Sequence, residues 1–319
     1  MLKHNSIYVA GHNGLVGSAI VRLLLRSGYK NIITKSSQDL DLTKQSNVDI
    51  FFSKTKPDFV FIAAAKVGGI FANNLFKADF IYDNIMIQSN LISACKKHEV
   101  KKMVFLGSSC VYPRISKQPI KENYLLSGSL EPTNEPYAIA KIAGIKMCES
   151  FFRQYASEFI SLMPTNLYGP NDNYNLKTSH VIPALIRKIY EAKLSDKNKV
   201  VIWGSGEAQR EFLHVDDLAR ACLFSMKKIS AEKIYNQLNV SHINIGSGKE
   251  IKIKELSYLI KDLIEYKGDL VFDISKPDGT PKKLLDTSIA NKIGWAPKID
   301  LHDGLEHTIK SYIEKRTIQ

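Results

Sequence analysis

The sequence predicts an α/β protein built on a doubly wound parallel sheet, and three observations carry that expectation. Short apolar runs of strand length alternate with longer helical segments, glycines cluster directly after the first run, and the fourth run turns polar at its carboxyl end, where ligands gather in open sheets of this kind. The first run, Ser6-Ile-Tyr-Val-Ala10, reads as a short buried strand. Gly11, Gly14 and Gly17 follow it and lead into the amphipathic segment Ser18 to Ser27. Lys30 to Thr34 reads as a second strand, Thr43 to Lys54 as a helix, Asp58 to Ala63 as a third strand, and Lys101 to Gly107 as a fourth after a long helix.

Later segments return to the same sheet. Val215 to Met226 has the pattern of a helix lying on it, and His242 to Ile245 that of one more strand. Val200 to Gly206 reads instead as an edge strand that ends in an aromatic residue and a glycine turn. The expected domains are therefore interleaved: 1–170 with 210–245 for a dinucleotide, and 171–209 with 246–319 for a smaller α/β substrate domain.

Composition bounds the function. The chain has 319 residues, 44% hydrophobic and 24% charged, which is ordinary for a soluble globular protein with a sizeable core. No apolar run approaches the roughly 18 residues of a membrane span, and Met1 to Ser6 leads straight into a strand, so a cytoplasmic location is expected. Cys95, Cys110, Cys148 and Cys222 are scattered without a Cys-x-x-Cys pair, which signals neither a disulfide framework nor a metal site. The formal charge of +12 is spread among acidic residues, as in Lys96-Lys97-His98-Glu99, so a phosphorylated metabolite suits it better than nucleic acid.

A strand, a glycine turn and a helix in that order suit a dinucleotide diphosphate. The backbone can approach the anion at the glycines, and the amides of Leu15, Val16 and Gly17 open the helix toward it. The glycines serve a tight turn and close helix packing equally well. At the end of the second strand, Lys35-Ser36-Ser37-Gln38 offers one cation and no acid, which favours NADP(H) over NAD(H). Asp41 and Leu42 are placed either to flank the adenine or, for Asp41, to N-cap the next helix. Ala63, Ala64 and Ala65 end the third strand with small residues that let a cofactor lie close.

Chemistry-bearing residues follow the fourth strand. On an extended segment Ser108 and Cys110 share a face while Ser109 points away. Tyr137 and Lys141 stand one helix turn apart, so an ammonium can stabilise the phenolate of a tyrosine whose ordinary pKa is about 10. With the glycine spacing, Ser108, Tyr137 and Lys141 resemble the triad of the extended short-chain dehydrogenase/reductase superfamily, whose core is a Rossmann-type sheet. That resemblance implies that Tyr137 delivers a proton, Ser108 polarises a ketone, and Lys141 lowers the tyrosine pKa while holding the nicotinamide ribose.

Longer motifs narrow the resemblance. Ala63 to Ile70, Gly107-Ser-Ser-Cys-Val-Tyr-Pro113, Glu131-Pro-Thr-Asn-Glu-Pro-Tyr-Ala-Ile-Ala-Lys-Ile-Ala-Gly144, Met163 to Pro170, Ser179-His-Val-Ile-Pro-Ala184 and Arg210-Glu-Phe-Leu-His-Val-Asp-Asp217 are similar to the GDP-L-fucose synthase family. The resemblance covers essentially the whole chain. It implies a GDP-4-keto-6-deoxy-mannose substrate, epimerised at C3 and C5 and reduced at C4 with NADPH. It assigns Cys110 and His180 to the epimerisation, Trp203, Arg210 and Lys283 to the GDP pocket, and Asn166 and Lys188 to the substrate region. Arg210 has a structural alternative as an anchor for Asp216 or Glu211.

The chain departs from that family at Asn13 and Ser37, where these synthases commonly carry arginines that face the adenosine 2′-phosphate. Lys35 is left to serve that group, and NAD(H) stays an alternative cofactor. A relative that only reduces C4, on a pre-epimerised sugar or a heptose, shares the same residues. A sugar-nucleotide dehydratase would need carboxylates where Ser109 and Cys110 stand, and a non-catalytic nucleotide sensor has no use for the full triad. The helices from Asp79 to His98 and from Tyr137 to Tyr155 are candidates for a homodimer interface.

Overall fold

The computed structural model describes residues 1–319 apart from 69–74, 277, 279 and 319. Its first half runs β1 (Ile7–Ala10), α1 (Leu15–Arg26), β2 (Ile32–Ile33), α2 (Gln45–Thr55), β3 (Phe59–Ile62), α3 (Lys77–Lys97), β4 (Lys102–Leu106), α4 (Glu135–Tyr155), β5 (Phe159–Pro164) and β6 (Asn166–Tyr168). Then come α5 (Val181–Leu194), β7 (Lys199–Trp203), β8 (Gln209–His214), α6 (Val215–Lys228), β9 (Ile243–Ile245) and β10 (Glu250–Lys252). The chain ends with α7 (Ile253–Ile264), β11 (Asp269–Asp273), β12 (Lys282–Lys283), α8 (Ser288–Lys292) and α9 (Leu301–Ile318).

The central sheet has the order β2-β1-β3-β4-β5-β9 with parallel pairing throughout. Strand periodicity divides its core. Ile7 and Val9 face one helical layer, with Ile20 and Leu24 of α1 and Leu218 and Cys222 of α6. Tyr8 and Ala10 face the other, with Phe52 of α2, Ile92 of α3 and Ile145 of α4. Full burial of Phe52, Phe61 and Phe105 contributes about 1.5–3 kcal/mol each.

A third apolar core lies among α5, α7 and α9, around Ile186, Ile189, Phe212, Leu256, Ile260 and Leu305. Here β10, β8 and β12 form a small sheet with β6 paired to β8, and β7 pairs in parallel with β11. Cys95, Cys148 and Cys222 are buried free thiols, and Cys110 is half-buried. Among the described residues no helix is long and apolar enough to cross a membrane.

Two local expectations need correction. The second strand is only Ile32–Ile33, because this edge segment finds a partner in β1 alone. The helix expected from Thr43 starts at Gln45 with Lys44 as its N-cap. Asp41 instead accepts hydrogen bonds from the Thr43 amide at 3.0 Å and hydroxyl at 2.6 Å, so it closes the preceding turn rather than capping α2. Gly69 and Ile70 of the motif after β3 lie outside the described residues.

A buried polar network ties the segment after β4 to β9. The Tyr112 hydroxyl donates to Asn244 Oδ1 at 2.5 Å, and the Asn244 amide donates to Glu122 Oε1 at 3.1 Å. Burial pushes the Glu122 carboxyl from 4.5 up to about 7. The native state thus keeps a proton that the unfolded chain releases, so the stability contributed below pH 4.5 is lost as the pH rises toward 7. Glu122→Gln should therefore gain stability relative to the parent across that window. Thermal midpoints of the two proteins that stay parallel with pH would contradict this.

Candidate active site

Position along β4 and α4 assembles the reactive groups. Ser108 is extended, with φ −155° and ψ 140°, but Ser109–Val111 forms a 3-10 turn in which the Val111 amide donates to the Ser108 carbonyl at 3.1 Å. The expected strand alternation through Cys110 is therefore replaced by a turn, and that turn brings the Cys110 thiol back to the Ser108 side chain. Ser108 acts on both Cys110 and Tyr137, lowering the pKa of each against the effect of burial.

The Glu131 carboxylate accepts the Thr133 and Asn134 amides at 2.9 and 3.2 Å, which fixes the chain just before α4. Tyr137 and Lys141 then fall on the helix face toward β4. Gly144 lets that face approach, since a Cβ there would lie 2.5 Å from the Phe105 ring. The Lys141 ammonium donates to the Leu106 carbonyl at 2.8 Å and lies 5.9 Å from the centre of the Tyr137 ring.

Burial dominates the electrostatics. Desolvation raises the Tyr137 pKa, the Cys110 thiol adds to the rise, and the Ser108 hydrogen bond opposes it. Lys141 is not a source of the shift. It is itself lowered to about 8 by burial and turned toward Leu106. The net shift of the phenol is upward, which favours its neutral form. Burial also raises the Cys110 thiol, against the pull of Lys283, Ser108 and Lys141. Cys110, Tyr137 and Lys283 keep part of their surface open to solvent.

The parallel register of β12 on β8 sets Lys283 opposite Arg210. Burial lowers the Lys283 pKa first of all, Arg210 adds to that, and Cys110 and Glu131 counter it. One connected set therefore contains Ser108, Cys110, Tyr137, Lys141, Lys283 and Arg210. Arg210 does not anchor the acids offered as its structural alternative. Asp216 pairs with Arg22 at 2.8 Å, and the buried Glu211 accepts the Gly248 and Leu285 amides at 2.7 and 2.9 Å. The acid beside Arg210 is Asp278, which no sequence motif had marked.

The remaining candidates have other contacts. His180 begins α5 without a side-chain cap, exposed at its surface yet desolvated enough to lower its pKa. Asn166 Nδ2 donates to the Glu211 carbonyl at 2.9 Å. Trp203 is 67% exposed, with the Lys188 ammonium 5.7 Å from its ring centre and 3.3 Å from the Val201 carbonyl.

The glycine loop lies where strand order reverses between β1 and β3, the place where open α/β sheets take ligands. Gly11 has φ +84°, and a Cβ there would sit 2.7 Å from the Ala64 backbone; at Gly17 it would sit 2.1 Å from the Gly11 carbonyl oxygen. Turn geometry and packing demand both. Gly14 differs, because its φ of −78° suits any residue and a Cβ would meet only the Gly11 oxygen, at 3.4 Å. The space it leaves open fits a group from outside the chain. As N-cap it supplies no side chain to α1, and the first turn has no acid, so the amides of Leu15, Val16 and Gly17 suit a diphosphate.

Asn13 and Lys35 are exposed near that end of the sheet, and the Leu42 carbonyl accepts Asn90 Nδ2 at 2.9 Å. The sequence reading stopped one residue short of an acid. Asp39 turns back onto the Ser36 hydroxyl at 2.8 Å and feels the charges of Lys35 and His12.

Known proteins share this fold. The NAD dependent epimerase/dehydratase family matches residues 7–246. GDP-L-fucose synthase 1 of Arabidopsis thaliana is 53% identical over 98% of this chain and 94% of its own. A GDP-6-OMe-4-keto-L-xylo-heptose reductase from C. jejuni superposes with a TM-score of 0.94 at 39% identity, covering 99% of both chains. A GDP-L-fucose synthetase from Naegleria fowleri bound to NADP gives 0.90 at 28% identity, covering 99% of this chain and 96% of that one.

Proposed function

This chain belongs to the GDP-L-fucose synthases within the NAD dependent epimerase/dehydratase family, and from that premise we propose that it reduces the C4 ketone of a GDP-4-keto-6-deoxy sugar with NADPH after epimerisation at C3 and C5. The observation that carries the reading is the joining of Ser108, Cys110 and Tyr137 at one point beside Lys141 and Lys283. A carbonyl oxygen bound there meets two hydroxyl donors, and a thiol stands beside the carbons that the ketone acidifies.

Gly11, Asn13, Gly14, Leu15, Val16 and Gly17 would hold the cofactor's diphosphate, with Lys35, Asp41, Leu42 and Ala64 along its adenosine and Lys141 at the nicotinamide ribose. Bound NADPH supplies the hydride. Ser108 polarises the ketone, and Tyr137, held neutral by burial, gives its proton to the oxygen. Cys110 and His180 form the epimerisation pair. The raised thiol and the lowered imidazole suit a Cys110 that returns a proton and a neutral His180 that removes one. Arg210 and Lys283 neutralise the diphosphate of GDP, Trp203 stacks on its base, and Asn166 and Lys188 complete the pocket.

Residues 1–170 with 210–245 then carry the cofactor, and 171–209 with 246–319 the GDP-sugar. We place the enzyme in the cytoplasm as a homodimer through α3 and α4, on which Tyr82 and Ile139 expose apolar surface at 63% and 41%. A monomer by sedimentation would discard the dimer.

The assay is loss of NADPH absorbance on addition of GDP-4-keto-6-deoxy-mannose. No turnover with any GDP-4-keto sugar would overturn the assignment. Cys110→Ser should abolish hydrogen exchange at C3 and C5 while leaving reduction of a pre-epimerised sugar measurable. Equal loss of both activities would contradict its role in epimerisation.

A further inference from the structure

A short strap after β11 brings a lysine to Trp203. The parallel pairing of β11 with β7 sets Asp273 opposite Trp203. Both ends of the strap are tied to the turn after Trp203. The Asp273 carbonyl accepts the Gly204 amide at 2.9 Å and the Lys276 amide at 3.2 Å. The Asp278 carboxylate accepts the Ser205 amide at 2.6 Å and hydroxyl at 2.8 Å. The Asp273 side chain adds the Ser275 amide and hydroxyl at 3.1 and 2.6 Å.

Between these ties the Lys276 ammonium stands 5.9 Å from the Trp203 ring centre. Lys188 also reaches the ring, but its ammonium is committed to the Val201 carbonyl. Among the described residues the Lys276 ammonium makes no hydrogen bond, and its charge acts on the Asp273 carboxylate, whose pKa it helps to lower. A cation 5.9 Å from the centre of an exposed indole is within reach of the edge of a base that stacks beside it. Guanine presents two acceptors on one edge, O6 and N7, whereas adenine replaces the first by an amino donor that repels an ammonium.

Resting on the GDP-sugar reading above, we propose that Lys276, held over Trp203 by the Asp273 and Asp278 ties, selects guanine over adenine at the nucleotide end of the site. The strap makes this a positioned contact rather than a wandering surface lysine. Arg210 and Lys283 lie with the diphosphate and see the same phosphates in either nucleotide, so they contribute no base preference.

Calorimetric titration of the NADP-bound enzyme with GDP and with ADP tests this. The parent should prefer GDP. Lys276→Met should lose about tenfold in GDP affinity with ADP affinity unchanged, and Lys276→Arg, which also presents donors to O6 and N7, should keep the preference. Equal loss for both nucleotides would make Lys276 a phosphate contact and overturn the proposal, as would an unchanged preference in Lys276→Met. A parent that binds GDP no better than ADP would overturn the inference alone, and a parent that binds neither would remove the GDP-sugar reading with it.

Discussion

Tyr137→Phe should lower the turnover of ketone reduction about a thousandfold while leaving NADPH binding intact. Burial keeps the phenol neutral, and its hydroxyl sits with that of Ser108, where a carbonyl oxygen would lie. Removing that hydroxyl removes the proton source and leaves Ser108 as a polarising group only. The ring itself stays, packed edge-on at 6.4 Å from Phe80, so the fold should not change. Exchange at C3 and C5 should persist, because Cys110 and His180 are untouched. Near-parental reduction by the variant would show that another group supplies the proton.

Lys141→Met should move activity and stability in opposite directions. Lys141 is 3% exposed, and burial lowers its pKa from 10.5 to about 8. The native state binds fewer protons than the unfolded chain between these values, so stability rises with pH through that window and the burial penalty is fully present below it. That penalty is roughly 3 kcal/mol, against about 1 kcal/mol for the Leu106 carbonyl losing its donor. The larger effect sets the sign: at neutral pH the variant should melt higher than the parent, with the advantage shrinking above pH 8. Reduction should fall about a hundredfold, since the cation proposed to hold the nicotinamide ribose is lost. A variant both less stable at neutral pH and fully active would contradict each half.

The central sheet was legible because buried parallel strands write themselves as short apolar runs. Phe59–Ile62 and Lys102–Leu106 are buried along their whole length. Ile32–Ile33 was over-read because apolar character does not reveal that an edge strand has one neighbour. Ser108, Tyr137 and Lys141 were visible for the same local reason, one strand end and one helix turn.

What escaped depends on contacts distant in sequence or on burial. The register that sets Lys283 opposite Arg210 joins segments far apart in the chain, and periodicity within either segment cannot specify it. Asp278 and Lys276 sit in a loop without a recognisable spacing, and their meaning comes only from what the loop crosses. The upward pull of burial on Tyr137 was not legible, because the sequence shows a neighbouring cation but not the depth at which both groups lie.

The most direct test is the complete reaction in heavy water, with purified enzyme, NADPH and GDP-4-keto-6-deoxy-mannose, and the product examined by NMR. Deuterium at both C3 and C5 of a sugar reduced at C4 is the predicted result. A product reduced at C4 with protons retained at C3 and C5 would contradict the coupled reaction and leave a simple reductase.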